Sequence, residues 1–222
     1  MENGNSTMGV KAVINTTYNA PPQTNIWWLS LPYNSMYKKA SDIVRDLEGG
    51  NGISSPSVKI GLVGLWTPSF QAAKAYVYDS AFGEWWGDDF AIAPGSGICV
   101  DVKAPFSWVM NGTDTTSQLS FTVNPIKTNN WLLSIPFTSR YITASDIVRA
   151  IEGGDGITSP STKIDAVGKW NHGGQAVNVY YYDIGFCDWE GYDVTFNPGD
   201  GIYLVIISNF TWTPQLITPE IP

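Results

Sequence analysis

Hydrophobic and polar positions follow one order along this chain, and the order occurs twice. A tryptophan-rich apolar run ending at proline is followed by a short amphipathic stretch and then by five short apolar runs. Apolar residues that alternate with polar ones predict strands, whereas apolar residues three and four apart predict a helix. Each copy is therefore expected to be β-rich, with a single helix of about two turns.

The predicted elements can be placed on the first copy. Strands are expected at residues 27–32, 59–66, 75–78, 90–92, 98–102 and 106–109, and their counterparts lie about 104 residues later. The helix opens at Ala40-Ser41-Asp42 and at Ala144-Ser145-Asp146, where Ser41 and Ser145 are predicted to cap the first N–H groups. Gly49-Gly50 and Gly153-Gly154 supply the left-handed residue that ends it.

The repeat itself is long and has no gaps. Residues 24–108 align with residues 128–212 without insertion or deletion, and 42 of the 85 aligned positions are identical. This predicts a mostly β protein made of two tandem homologous domains, sandwich-like or barrel-like, each with one short α-helix. Residues kept in both copies are expected to hold the fold rather than to carry out one reaction.

The duplication also sets the predicted domain boundaries. Residues 1–23 form an N-terminal extended segment, 24–110 the first repeat domain, 111–127 a linker with a leading strand, 128–213 the second repeat domain and 214–222 an extended tail. The N-terminal segment contains an alternating run, VKAVI, that is predicted to act as an assembly strand donated to another subunit. Its residues are Val10, Lys11, Ala12, Val13 and Ile14.

Composition narrows the class of protein. Only 14% of residues are charged while 14% are aromatic, and the net charge is −8. Such a charge repels phosphates and argues against a nucleic-acid partner. The chain has no run of 18 apolar residues, so no membrane span is predicted. A surface that is polar through Ser, Thr and Asn suits an extracellular or cell-surface protein, although the polar start MENGNSTMGV does not resemble a signal peptide.

Cysteines and sequons bear on the same question. Cys99 and Cys187 do not align with each other, so two buried thiols or one bridge between the repeats are the alternatives. Four Asn-x-Ser/Thr sequons are candidates for N-glycosylation, and the alternative is that they occur by chance. They begin at Asn5, Asn15, Asn111 and Asn209.

Catalytic and metal-binding patterns are weak in this sequence. His172 is the only histidine, and no serine lies in a nucleophile elbow. Two cysteines and one histidine do not make a zinc site, and no cofactor or metal is predicted. Asp183, Asp188, Asp193 and Asp200 are close in sequence, yet they lack the spacing of a calcium loop. The glycine loops at 49–52 and 153–156 follow a helix and lack the lysine of a phosphate-binding loop.

Carboxylates kept in both copies are candidates for the acid pair of a glycosidase. Helix ends and an Asx-turn explain several of them, and Glu84 becomes Asp188 in the second copy. No catalytic residue is therefore assigned. The pairs are Asp42/Asp146, Glu48/Glu152, Asp79/Asp183, Glu84/Asp188 and Asp89/Asp193.

Aromatic residues remain as candidate contacts. Most tryptophans occur in both copies, which predicts core positions, whereas Trp28 and Trp86 occur only in the first copy. Trp28, Trp85 and Trp86 are predicted as aromatic contacts for a sugar ring or a protein partner. For Trp85 and Trp86, a core position is the alternative.

The repeated motifs resemble those of a family of surface modules. Trp27–Pro32 (WWLSLP), Tyr76–Asp79 (YVYD) and Pro94–Ile98 (PGSGI) recur in the second copy as WLLSIP, YYYD and PGDGI. This order resembles the tandem W-x-x-(I/L)-S-(I/L)-P modules of archaeal and bacterial extracellular proteins, which close with a G-x-G-Y-like strand. This chain has Ile98 and Ile202 where those modules often carry an aromatic residue. The resemblance implies a surface module without enzymatic activity.

Three functions follow as hypotheses. The first is a non-enzymatic structural subunit of an extracellular filament, sheath or surface layer, which self-associates into a polymer through strand exchange or β-augmentation by its terminal segments. The second is a carbohydrate-binding or adhesin module that presents exposed aromatic residues to glycans. The third is a hydrolase, for which the sequence provides no convincing nucleophile.

Overall fold

The described part of the chain folds into fourteen strands and two helices. The structure, a computed structural model, describes residues 8–19, 25–115 and 117–217. In chain order the elements are β1 (Met8–Asn15), β2 (Ile26–Leu29), α1 (Ala40–Glu48), β3 (Ile60–Thr67), β4 (Ala72–Asp79), β5 (Glu84–Gly87), β6 (Ile98–Val102), β7 (Ser107–Asp114), β8 (Leu119–Phe121), β9 (Asn130–Leu133), α2 (Ala144–Glu152), β10 (Ile164–Asn171), β11 (Ala176–Asp183), β12 (Asp188–Gly191), β13 (Ile202–Ile206) and β14 (Phe210–Trp212).

The strands form two copies of one topology. Domain 1 has a five-stranded antiparallel sheet in the order β2-β6-β3-β4-β5, and domain 2 has the matching order β9-β13-β10-β11-β12. Each domain also has a two-stranded ribbon, β1-β7 in the first and β8-β14 in the second. The predicted architecture of two β-rich domains, each with one short helix, is confirmed.

Each domain has its own core between the sheet, the ribbon and the helix. In β6 the residues Ile98, Val100 and Val102 alternate inward and are fully or almost fully buried, as the period of two requires. The helix packs Ile43, Val44 and Leu47 onto this layer. Burial of each such side chain contributes about 1.5–3 kcal/mol.

The helix begins two residues earlier than a serine cap would place it, so the predicted caps at Ser41 and Ser145 are wrong. Ala40 is the first helical residue, and the Asp42 carboxylate instead accepts hydrogen bonds from the N–H groups of Lys38 (2.8 Å) and Lys39 (3.0 Å). Ser41 is directed to Asp89, which accepts its N–H (2.8 Å) and its hydroxyl (2.9 Å). Thr143 and Asp146 cap the second helix.

The strand predicted at residues 90–92 is also wrong. The fourth sheet strand is β5, in which Trp85 points inward and Trp86 outward, opposite Tyr78 and Val77 of β4. Residues 90–92 make only one isolated bridge, between Lys39 and Ala91. The sequence does not predict this strand, because Glu84 and Gly87 on either side of the two tryptophans do not continue an alternation of apolar and polar residues.

The two domains are joined by reciprocal contacts, in which a contact that domain 1 makes to domain 2 is also made by domain 2 to domain 1. The indole N–H of Trp66 donates to the Asn130 carbonyl (2.7 Å), and that of Trp170 donates to the Ile26 carbonyl (2.6 Å). Asn130 is the counterpart of Ile26 in the repeat. The Gln71 side chain bonds both the carbonyl and the N–H of Asn130, and the Gln175 side chain bonds both backbone groups of Ile26. The two domains are therefore related by a pseudo-twofold axis.

A second set of reciprocal contacts between the domains covers one edge of each sheet. The Ser30 hydroxyl of domain 1 donates to the Asp200 carbonyl (2.6 Å), and the Ser134 hydroxyl of domain 2 donates to the Ser96 carbonyl (2.7 Å). Isolated bridges join Leu29 to Asp200 and Ser96 to Leu133. The Pro-Gly-x-Gly turn of each domain therefore lies against the edge strand of the other.

Candidate functional site

The most exposed tryptophan, Trp86, lies on the outer edge strand of domain 1. Its side chain is 76% exposed, beside Phe82, which is 81% exposed. Together with Asp79 and Glu84 they line a cleft of about 430 Å³ at the tip of the β4–β5 hairpin. Asp79 and Glu84 face each other across the hairpin. The cleft thus combines two apolar rings with two carboxylates.

Only one of these carboxylates is engaged in a turn. The Asp79 Oδ1 atom accepts the N–H of Ala81 (2.8 Å), which is the Asx-turn that the sequence predicted. Within the described part of the chain, the Glu84 carboxylate forms no hydrogen bond or ion pair. Domain 2 keeps Asp183, Phe186 and Asp188 at the matching positions but has Glu190 in place of Trp86. The aromatic cleft is therefore specific to domain 1.

Trp85 does not offer a surface, and its prediction as an aromatic contact is corrected. It is 3% exposed, and its indole N–H donates to the Ser55 carbonyl (3.1 Å). Its ring stacks against Tyr76 with centroids 5.8 Å apart. Trp189 of domain 2 repeats these contacts with Ser159 and Tyr180. A residue held this way in both copies belongs to the core.

Trp28 is covered by the other domain, so it is not a free contact face either. Its ring stacks on Trp170 at a centroid distance of 4.6 Å and lies 6.0 Å from Tyr203. Domain 2 has Leu132 at the equivalent position. Of the three predicted aromatic contacts, the structure leaves only Trp86 open, and it adds Phe82, which the sequence reading missed.

The predicted assembly strand is paired within its own chain. Residues Val10–Ile14 lie in β1, whose eight residues pair antiparallel with those of β7. Val10, Ala12 and Ile14 are buried, whereas Lys11 and Val13 point outward. The leading strand of domain 2 is much shorter, because β8 pairs with β14 over three residues only. Pairing of β1 with another copy would therefore require its release from β7.

Four of the five carboxylate pairs shared by both copies have structural partners. Glu48 Oε1 accepts the N–H groups of Lys59 and Ile60, each at 2.7 Å, and ties the helix end to β3. Asp89 holds Ser41, as described above.

The same roles recur in domain 2. Glu152 accepts the N–H groups of Lys163 and Ile164, Asp183 accepts that of Gly185, and Asp193 holds Ser145. The remaining pair is Glu84/Asp188, for which the described residues provide no side-chain partner, and Asp188 Oδ1 is buried.

Three of the four candidate calcium aspartates, Asp183, Asp193 and Asp200, are bonded to other groups of the protein. Asp200 accepts the ammonium of Lys169 at 2.5 Å and the N–H of Asn197 at 2.7 Å. Among residues 8–19, 25–115 and 117–217, no group of three or more His, Cys, Asp or Glu is placed to hold a metal ion.

The two cysteines are free thiols, so no bridge links the repeats. Burial raises the pKa of Cys99 to about 11, which keeps this thiol protonated at neutral pH. Cys187 is exposed, and its prediction as a buried thiol is wrong. It occupies the tip of the β11–β12 hairpin with a φ angle of +58°.

Three of the four sequon asparagines lie on the surface. Asn15 and Asn111 are exposed on the β1–β7 ribbon, and Asn209 is exposed beside β14. The Asn209 side chain already accepts the N–H of Val123 at 2.7 Å. Asn5 lies outside the described residues, and glycosylation of all four remains a prediction.

Comparison of the chain with known proteins gave no match among family models, curated proteins or solved structures. Of the helices in the described residues, neither α1 nor α2 has the length and apolar character to cross a membrane.

Proposed function

We propose that this chain is a non-enzymatic structural subunit of an extracellular filament, sheath or surface layer, and that copies are joined by exchange of β1. The observation that carries the proposal is the position of β1 in domain 1. It contributes Ala12 and Ile14 to the core, yet it is the first described strand and pairs with β7 alone. A strand that completes a core within one chain can complete the same core in another.

Exchange would conserve the contacts that hold β1. Its inward residues pack beside Trp108 and Met110 of β7, and both of these are buried. Release of β1 would expose them, and the same strand from a second copy would cover them again with the same register. Because each copy gives one strand and receives one, head-to-tail exchange extends as a fibre when the rotation between successive copies does not close a ring.

The segment that follows β1 suits such an exchange. Residues 16–24 read TTYNAPPQT, with Pro21 and Pro22 adjacent. Proline lacks an N–H and cannot extend a strand ladder, so β1 is separated in sequence from β2. The low charge, the exposed asparagines Asn15 and Asn111, and the resemblance to surface modules support an extracellular setting.

A reversible lock on β1 tests the proposal. Val13 and Val109 are directly opposite in the ribbon and are 51% and 41% exposed. Opposite residues in antiparallel strands have Cα atoms about 4.5–5.5 Å apart, which a disulfide can bridge. The variant Val13→Cys/Val109→Cys, made with Cys187→Gly, would hold β1 on its own domain when oxidised and free it when reduced.

The expected result is a fibre or sheet in negative-stain micrographs of the parent and of the reduced variant, but monomers of the oxidised variant. The reduced variant is the matched control, since it has the same sequence. Polymers of equal length from the oxidised variant would show that β1 is not exchanged. A parent chain that stays monomeric under all conditions would end the filament proposal.

A second function is favoured by the cleft at Trp86. A flat exposed indole beside two carboxylates presents an apolar face together with hydrogen-bond acceptors, and sugar rings offer the matching apolar face and hydroxyl donors. Trp86→Glu copies the domain 2 residue and should abolish retention on polysaccharide affinity gels. The control Trp28→Leu also copies domain 2 and should keep it. No retention of the parent chain would end this alternative.

A further inference from the structure

A carboxylate in domain 1 joins two aromatic side chains to the helix. The Asp46 Oδ2 atom of α1 accepts the hydroxyl of Tyr37 (2.6 Å) and the indole N–H of Trp108 (2.7 Å). The two rings are tilted against each other with centroids 5.4 Å apart. Burial and the bond to Asp46 raise the pKa of Tyr37, so its hydroxyl stays a donor. All three groups are satisfied by one another.

Domain 2 retains the two donors without the acceptor. Tyr141 and Trp212 are the counterparts of Tyr37 and Trp108, and their centroids are again 5.4 Å apart. The position of Asp46 is taken by Ala150. The Tyr141 hydroxyl accepts the N–H of Gln215 (3.1 Å), but neither it nor the Trp212 indole donates to any residue of the described chain. Trp212 is 6% exposed as a residue, and its Nε1 atom is not a buried donor without a partner, so its N–H reaches the open groove.

These donors line an open groove. It has a volume of about 740 Å³ and lies between α2, the loop before it and the segment after β14. Arg140 and Arg149 line it together with Asp146. The matching positions of domain 1 hold Met36, Arg45 and Asp42.

The groove of domain 2 is more positive than the matching positions of domain 1. In domain 1, Lys38 and Arg45 stand against Asp42 and Asp46, so the charges cancel. In domain 2, Arg140 and Arg149 stand against Asp146 alone, and the net charge is +1. Arg149 is paired with Asp146 (3.4 Å), and Arg140 bonds the side-chain oxygen of Gln215 (2.9 Å). The groove is thus suited to an anionic guest.

We propose that the domain 2 groove binds a carboxylate from outside the domain, which takes the role that Asp46 has in domain 1. The guest accepts hydrogen bonds from the Tyr141 hydroxyl and the Trp212 indole, and Arg140 supplies the neighbouring positive charge. Charge-assisted bonds of this kind are stronger than bonds between neutral groups. The carboxylate can come from a free small acid or from an acidic side chain of a second copy, since the chain carries 20 Asp and Glu residues.

Indole N–H resonances in a ¹⁵N–¹H NMR spectrum test this directly, with Trp212→Phe used to assign Trp212. Titration with sodium acetate at constant ionic strength should shift the Trp212 signal downfield and saturate, while the Trp108 signal stays fixed because Asp46 already occupies its site. Sodium chloride at equal concentration is the blank. A Trp212 signal that does not respond, or that moves linearly with Trp108, would overturn the proposal for free acids.

Two exchanges with domain 1 residues serve as matched variants, and both positions are exposed. Ala150→Asp supplies an internal carboxylate, so the Trp212 signal should start downfield and ignore acetate. Arg140→Met should weaken acetate binding several-fold without moving the starting signal. An acetate response that is unchanged in Ala150→Asp would show that the guest does not bind at this position.

A dilution series separates the two sources. If a second copy provides the carboxylate, the Trp212 signal moves with protein concentration and acetate competes with that change. If a free acid is the guest, the signal is independent of protein concentration and responds to acetate alone. No response to either variable would refute the site.

Discussion

The imidazole of His172 lies flat on the indole of Trp27, with ring centroids 3.5 Å apart and planes 12° apart. The two residues belong to different domains, so the stack is part of the interface between them. The Nδ1 atom of His172 is buried and has no hydrogen-bond partner in the described chain. The ring is therefore held by an aromatic face and not by a polar network.

This stack predicts that the protein loses stability in mild acid. Burial lowers the pKa of His172 to about 4, with Asp200 opposing the shift and Lys169 adding to it. The unfolded chain binds a proton near pH 6.5 and the folded chain only near pH 4, so stability falls as the pH drops through this window. The loss is expected to be on the order of 2 kcal/mol, after allowance for partial exposure. Urea unfolding between pH 7 and 4 measures it, and His172→Phe should flatten that part of the profile.

Replacement of Cys187 by glycine should stabilise the protein. Cys187 has a φ of +58°, whereas its counterpart Gly83 adopts +70° without a side chain to strain. The left-handed conformation costs a non-glycine residue about 1–2 kcal/mol, part of which is offset by the greater freedom of glycine when unfolded. Chemical denaturation of Cys187→Gly should show a gain of about 0.5–1 kcal/mol. The reverse variant, Gly83→Cys, should lose a similar amount.

The reciprocal indole bonds should contribute equally to stability. Trp66→Phe and Trp170→Phe each remove one bond to a backbone carbonyl, and that carbonyl still accepts a bond from Gln71 (2.9 Å) or Gln175 (3.2 Å). Each change should therefore cost about 1 kcal/mol in urea unfolding. A double variant whose cost differs clearly from the sum would show that the two sites are coupled through the interface.

Truncation of the two adjacent tryptophans in β5 should cost very different amounts of stability. Trp85→Ala creates a cavity and leaves the Ser55 carbonyl without its donor, and it should cost about 3–5 kcal/mol. Trp86→Ala removes a side chain that is mostly in water and should change stability by less than about 0.5 kcal/mol. Thermal unfolding of the two variants under identical conditions checks the contrast. Equal losses would contradict the orientation of this strand.

Much of the fold could be predicted because it depends on local periodicity that is present twice. The helix at Ala40–Glu48 and strands such as Ile98–Val102 appear in both copies, and the repeat confirms the domain count. β5 was missed because only Trp85 of its four residues is buried, and a single buried position gives no period. The caps were misplaced because Ser41 has a stronger partner, Asp89, 48 residues away.

The candidate sites were harder to predict for a related reason. Exposure of Trp86 and burial of Trp85 depend on which face of a strand each occupies, and residues 83–87 alone do not decide that. Coverage of Trp28 depends on Trp170 in the other domain. The groove at Ala150 had a signal in the sequence, namely the loss of Asp46 between retained Tyr and Trp residues, which becomes meaningful only when the hydrogen bonds of domain 1 are known.

The bonds from Ser30 to Asp200 and from Ser134 to Ser96 have a consequence for how such a repeat could exist alone. A single module would leave its β2 edge and its Pro-Gly-x-Gly turn facing solvent, and these two surfaces fit each other only across a twofold axis. Tandem duplication converts a concentration-dependent homodimer into a covalently linked pair whose halves meet at every dilution. Duplication also allows each half to change independently. In a homodimer every substitution occurs in both subunits, whereas in a duplicated chain it occurs in one half only. Trp86 and Ala150, each present in one half only, are changes of this kind.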